Sequence, residues 1–146
     1  MKRIGIDLGG TKIEGVVVDE ALNVEHKLRL PTPSTDGYEA VVQQVGKVVT
    51  ELEAMHGAPC KVGIGTPGAI SQVTGLMKNS NSVALNGKPL KEDLERVLER
   101  PIRMANDANC FALSEAVDGA AKGHDVVFGI IPVSYTHLTL PTSLAV

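Results

Sequence analysis

Residues Gly5 to Lys12 read Gly-Ile-Asp-Leu-Gly-Gly-Thr-Lys and place a carboxylate, a glycine pair, a hydroxyl and an ammonium close together in the chain. The glycine pair suits a tight hairpin turn with positive φ. Such a turn leaves backbone N–H groups bare beside the Thr11 hydroxyl and the Asp7 carboxylate. A concave patch of amides suits phosphate oxygens, and a carboxylate suits hydrated Mg²⁺. An ordinary Gly-Gly hairpin would look similar, but Asp7 before the pair and Thr11-Lys12 after it favour the phosphate reading. Neither G-x-x-x-x-G-K-[ST] nor a strand–G-x-G-x-x-G–helix unit is present, so this is neither a P-loop nor a dinucleotide fingerprint.

The elements that must position these groups follow from periodicity. Ile4, Ile6 and Leu8 alternate with Asp7 as on a strand, Thr11 to Asp19 continues as a β-branched strand, and Val24 to Leu30 alternates again before Pro31-Thr32-Pro33-Ser34. Tyr38 to Met55 carries Val41, Val42, Val45, Val48, Val49 and Leu52 on one helical face and is stopped by Gly57-Ala58-Pro59. A strand is predicted over Lys61 to Thr66, a small excursion between Ala69 and Met77, and a helix over Leu90 to Glu99. Pro101 to Met104 reads as a strand, Asp107 to Ala121 as a helix with Ala and Leu on its buried side, and Val126 to Ile131 as a last strand. Three meander strands followed by helix–strand alternation give an α/β domain with a mixed sheet.

Composition narrows the function. A net charge of −3 with no basic run argues against nucleic-acid binding. Hydrophobic content of 43% with only 3% aromatics gives an aliphatic core. No apolar run approaches the roughly 20 residues that span a bilayer, and the N-terminus enters a strand directly, so a cytoplasmic protein with no membrane partner is expected. Cys60 and Cys110 are isolated and read as buried free thiols, and His26, His56 and His124 read as surface residues without metal spacing.

With Asp7-Leu8-Gly9-Gly10-Thr11-Lys12, Gly63-Ile64-Gly65-Thr66-Pro67-Gly68 and Asn106-Asp107-Ala108-Asn109-Cys110 in order, residues 1 to 131 resemble the ROK family of sugar kinases. Lys78-Asn79-Ser80-Asn81-Ser82, Leu85-Asn86-Gly87 and Ser114 to Ala121 look most like its bacterial fructokinases. The resemblance implies an actin-like, ribonuclease H-like fold, with residues 1–121 as the N-terminal lobe and 122–131 as the first strand of a truncated second lobe. It implies ATP-dependent phosphorylation of a hexose, most simply fructose to fructose 6-phosphate. It makes Asp107 the general base, a role that typically contributes about 10²–10⁴-fold. From spacing alone, Asp107 reads first as a helix-start residue satisfying free N–H groups, and the surrounding Asn106-Asp107-Ala108-Asn109-Cys110 turns the reading to the base. Gly9, Gly10 and Thr11 would hold the transferred phosphate, Asp7 would steer Mg²⁺, and Lys12 either neutralises phosphate or is a surface lysine. Pro67, Gly68, Asn81 and Asn106 would meet the sugar, whereas Asn79 and Asn86 suit turns.

The same resemblance leaves glucose, mannose and N-acetylglucosamine open as substrates. It also includes sugar-sensing repressors, but only six residues precede Asp7, too few for a DNA-reading helix pair. The family's second phosphate loop, its further sugar contacts and its Cys/His zinc site are expected beyond Ile131, and the intact parent is expected to be a homo-oligomer. The 146-residue chain itself is therefore expected to be inactive, with apolar surface left uncovered.

Residues 132–146 change character: Val133-Ser134-Tyr135-Thr136-His137-Leu138-Thr139-Leu140-Pro141-Thr142 resembles the in-frame translation of a sequencing-library transposon adapter. Native sequence is expected to end at Ile131. Resequencing the source gene across the Ile131 codon checks this, and an uninterrupted frame encoding Pro132 to Val146 would refute it.

Overall fold

The computed structural model describes residues 2–127 and 129, and within them the order is strands and helices around one mixed sheet. Strands β1 (Arg3–Leu8), β2 (Lys12–Val18) and β3 (Val24–Pro31) form an antiparallel meander. Helix α1 (Tyr38–His56) then returns the chain to β4 (Lys61–Thr66), which pairs parallel to β1. A two-stranded hairpin, β5 (Ala69–Ile70) and β6 (Met77–Lys78), precedes helix α2 (Leu90–Leu98). Strand β7 (Arg103–Asn106) pairs parallel to β4, and helix α3 (Asp107–Val117) leaves its end. The sheet order is β3-β2-β1-β4-β7. The α/β class and mixed sheet expected from the periodicity are what the fold shows.

One face of this sheet is the core. Ile4, Ile6 and Leu8 of β1, Ile13 and Val17 of β2, and Val62 and Ile64 of β4 are buried against α1 and its neighbours. Helix α1 contributes Val41, Val42, Val45, Val48, Val49 and Leu52, the same face read from their spacing. Burying one such side chain contributes about 1.5–3 kcal/mol, so α1 is the main clamp on the meander. Helix α2 packs on α1 through Leu90, Leu94 and Leu98. Tyr38 Oη donates to Asp93 Oδ2 at 2.6 Å, tying the start of α1 to α2. Burial and this carboxylate together push the Tyr38 phenol well above its ordinary pKa. At the other end, Arg100 Nη1 and Nη2 hold Glu53 at 2.6 and 2.7 Å, and the pairing keeps the Glu53 carboxyl below its usual range.

The opposite face is bare backbone over much of β1 and β4. Gly5 and Gly63 are paired in register, as are Asp7 and Gly65. A side chain built at Gly65 would come within 3.7 Å of Cys110 Sγ and 3.8 Å of Asp107 Cα, so α3 crosses this second face where the sheet presents only backbone.

Four expectations need correction. Neither Gly9 nor Gly10 has positive φ; Gly9 is needed because a Cβ there would stand 2.8 Å from the Lys12 carbonyl oxygen. Strand β7 begins at Arg103 rather than Pro101, because the Ile102 N–H is taken by Glu95 Oε1 at 3.0 Å and the ladder with β4 starts at Gly63–Arg103. Helix α3 stops at Val117 and buries none of its residues: Leu113 is 65% exposed and Phe111 40%. Its C-terminus is closed by Glu115, whose carboxylate accepts from the Ala120 N–H at 2.9 Å. Of the strand expected over 126–131, residues 126, 127 and 129 are described and are not in a strand, while 128, 130 and 131 lie outside the described residues, as does the tail. No helix among the described residues is long and apolar enough to cross a membrane.

Gly15 of β2 faces α1, and a Cβ there would meet Leu52, Ile6 and Val48 within 2.8 Å. Gly15→Ala is therefore expected to destabilise the chain by about 1–3 kcal/mol through overpacking. Urea unfolding reads this directly, and an unchanged midpoint would show that these side chains yield without cost.

Candidate functional site

Parallel pairing brings the carboxyl ends of β1, β4 and β7 to one edge of the sheet, the edge where open α/β sheets bind ligands. Each chain segment leaving that edge carries one of the motifs singled out in the sequence.

After β1 comes the turn at Gly9 to Lys12. Its Gly9 N–H donates to the Lys12 carbonyl oxygen at 2.9 Å, so this amide is not bare. The Gly10 and Thr11 N–H groups have no acceptor among the described residues. Thr32 grips the turn from outside: its hydroxyl donates to the Gly9 carbonyl at 2.7 Å and its N–H to the Thr11 carbonyl at 3.0 Å. The sequence marked Pro31-Thr32-Pro33 only as a strand stop, although a threonine fixed between two prolines was the available signal.

After β4 comes Pro67-Gly68. Gly68 is buried, and a Cβ there would lie 2.8 Å from the Lys78 carbonyl oxygen and 2.9 Å from Ser80 Cβ. Its own carbonyl accepts from Thr66 Oγ1 at 3.2 Å and from Asn106 Nδ2 at 3.1 Å. Close packing against the 78–80 segment thus accounts for glycine at this position. That segment is itself clamped by Asn86, which accepts from the Ser80 N–H at 2.9 Å and donates to the Ser80 carbonyl at 3.0 Å. Asn79 takes φ 56°. Both asparagines serve the turn, as their spacing suggested, and they present Asn81 and Ser82 towards Gly10. Gly9, Gly10, Thr32, Asn81 and Ser82 share a recess of about 320 Å³.

After β7 comes α3, and here the sequence left two roles for Asp107. Asn106 is the helix cap, accepting from the Ala108 N–H at 3.0 Å and the Asn109 N–H at 3.4 Å. With one Nδ2 hydrogen already on Gly68, Asn106 keeps a single free donor. Asp107 Oδ1 accepts from the Ala108 N–H at 2.7 Å, and the residue remains exposed. The two residues share the Ala108 N–H, and Asp107 Oδ2 has no hydrogen-bond partner among the described residues.

The two acidic residues meet across the strands. Asp7 has its pKa raised, first by partial burial of its carboxyl and then by the charges of Asp107 and Glu14, with Lys12 acting in the opposite sense. Cys110 is exposed rather than buried, and its thiol is pushed up by desolvation and by both Asp107 and Asp7. A carboxyl whose ionisation is opposed by burial and by a nearby carboxylate suits a divalent cation, and the amides of Gly10 and Thr11, without an acceptor among the described residues, suit an anion beside it. Asp7, Gly9, Gly10, Thr11 and Lys12 are contiguous. Asp107 acts electrostatically on Asp7, Asn81 shares the recess with Gly9 and Gly10, and Asn106 is tied to Gly68, while Pro67, Gly68, Asn106 and Asp107 do not line that recess.

The model of the ROK family matches residues 3–133. An N-acetyl-D-glucosamine kinase from Escherichia coli O127:H6 is 42% identical over 127 residues, 87% of this chain and 42% of that protein. The chain thus spans about two fifths of the length of the curated relatives it matches. A ROK family glucokinase from Streptomyces griseus, solved in complex with glucose and AMPPNP, superposes with a TM-score of 0.75 at 31% identity, covering 86% of this chain and 39% of that one. A ROK hexokinase from Thermus thermophilus gives a TM-score of 0.72 at 36% identity, covering 84% and 41%.

The raised pKa of Asp7 carries a stability consequence. Its ionised form is disfavoured in the folded chain, so at neutral pH it costs stability. That cost is relieved as pH falls through the raised value and is gone below the ordinary 3.8. Asp7→Asn is expected to raise Tm at pH 7, with the gain shrinking to nothing as pH approaches 3.8. Thermal melts across this range check it; a lower Tm for the variant at pH 7 would contradict the assignment.

Proposed function

The chain belongs to the ROK family, and on that premise we propose that it forms one wall of an ATP-dependent hexose kinase site. The observation that carries this reading is the exposed Asp107 carboxylate at the start of α3, acting electrostatically on Asp7 at the end of β1.

A sugar hydroxyl attacks poorly while protonated, and Asp107 would take that proton as the new oxygen–phosphorus bond forms and the γ-phosphorus bond to the β,γ-bridging oxygen of ATP breaks, ADP leaving. The Gly10 and Thr11 N–H groups would bind oxygens of the transferred phosphoryl group, with Lys12 adding positive charge at the same turn. Asp7 would hold Mg²⁺ through water and phosphate oxygens; when bound, the cation supplies neutralisation of the phosphate charge. Asn81, facing the recess, and the remaining Asn106 donor would orient sugar hydroxyls. Pro67 and Gly68 serve here as the rigid floor that fixes Asn106.

The hexose is open to two readings. The 78–87 segment resembles fructokinases, favouring fructose, but its asparagines act as turn clamps, so the resemblance speaks to loop shape before sugar choice. The identity to N-acetyl-D-glucosamine kinases favours the amino sugar. Because the chain spans about two fifths of those relatives, we infer that the isolated 146-residue polypeptide does not turn over and that the longer protein does.

A coupled ADP-release assay on a full-length protein carrying these residues, run with fructose, N-acetylglucosamine, glucose and mannose, ranks the sugars by kcat/KM. Asp107→Ala is expected to lower kcat by about 10²–10⁴-fold with sugar affinity largely kept. Undiminished turnover in that variant would remove Asp107 as the base.

A further inference from the structure

The opposite edge of the sheet, at the amino ends of β1 and β4, carries a second cluster that the phosphoryl-transfer reading does not use. Glu25, His26 and His56 each offer a ligand atom, and these atoms lie within 4.8 Å of one another. No metal spacing marks these residues in the sequence, and their meeting has two structural causes.

Neighbouring residues of a regular strand point to opposite faces. In β3 the register slips: Val17 pairs with His26 and Val18 with Val24, so Glu25 is an extra residue. Such a bulge turns its side chain out of strict alternation, which lets Glu25 and His26 serve one side. His56 arrives from elsewhere as the last residue of α1, where Gly57 in the left-handed conformation ends the helix and donates to the Glu53 carbonyl at 2.7 Å. The two imidazole rings are 6.3 Å apart between centroids and tilted by 55°, so they are not stacked. His56 Nδ1 lies 3.7 Å from Glu25 Oε2, too far for a hydrogen bond. No hydrogen bond from either imidazole occurs among the described residues.

We propose that Glu25, His26 and His56 bind a divalent transition-metal ion of the zinc class, closing edge strand β3 onto the end of α1. Two imidazole nitrogens and one carboxylate oxygen form a donor set that zinc accepts at bonds of about 2.0–2.2 Å, leaving a fourth tetrahedral position to water. Imidazole donors disfavour Mg²⁺ and Ca²⁺, which take oxygen. The side chains must draw together to meet those bond lengths, and all three are at least partly exposed and able to turn. Lys2 pairs with Glu25 Oε1, so Oε2 is the oxygen presented to the histidines. The Lys2 ammonium opposes an incoming cation and would weaken, without blocking, the site.

The tag-free 146-residue chain titrated with Zn²⁺ against a chromophoric chelator, with a thermal melt at each zinc level, tests this. One zinc per chain is expected, with a Tm rise that saturates at the same ratio, because the ion ties residues distant in the chain only when folded. His26→Gln and His56→Gln should each weaken binding by at least about tenfold, while Cys60→Ser and Cys110→Ser should leave it unchanged. Each variant is first melted without zinc, and if one histidine variant fails to fold the other decides. Absence of stoichiometric binding, binding that survives a folded histidine variant, or binding lost with either cysteine would overturn the proposal.

Discussion

The parallel pairing of β1, β4 and β7 is the constraint on which the rest of the structure depends. Because the three strands run the same way in adjacent ladders, their carboxyl ends finish at one edge. The segments leaving them must then share that edge, whatever their separation in the chain. Asp7 pairs opposite Gly65, and Asn106 opposite Thr66, so residues about a hundred positions apart become neighbours. A sheet in which β7 ran antiparallel would send Asp107 to the other end of the molecule.

Two features let the constraint work. On the core face, α1 covers the meander with an almost unbroken row of valines, and this aliphatic clamp fixes β1 without placing aromatic bulk near the edge. On the second face, α3 passes over Gly65, within van der Waals reach of a Cβ built there, and Gly65 pairs with Asp7, on which Asp107 acts. Glycine is selected at Gly9 and Gly68 by the approach of other atoms rather than by left-handed backbone.

The electrostatics of the edge run against stability and towards ligand binding. A carboxyl raised by burial and by a like charge is a cost that a cation and a phosphate would offset. Hydrogen bonds meanwhile are spent on holding the frame: Asn106 caps α3 and grips Gly68, Asn86 clamps Ser80, and Thr32 closes the turn. The Gly10 and Thr11 amides, without an acceptor among the described residues, are the groups the proposed chemistry would use.

Local signals in the sequence determined the strands of the meander, the buried face of α1, the turn roles of Asn79 and Asn86, and the motifs that mark the family. Each depends on residues within one element, where period and turn chemistry act over a few positions. The sequence could not tell which neighbour would take the free N–H groups at the start of α3, and the structure divides them: Asn106 accepts from Ala108 and Asn109, and Asp107 from Ala108 as well. It could not register Thr32 as the clasp of the turn, place Cys110 at the surface, or bring Glu25, His26 and His56 together. Those outcomes rest on a strand bulge, a helix end and a parallel ladder, and only tertiary structure sets such distances because each is fixed by packing between segments far apart in the chain.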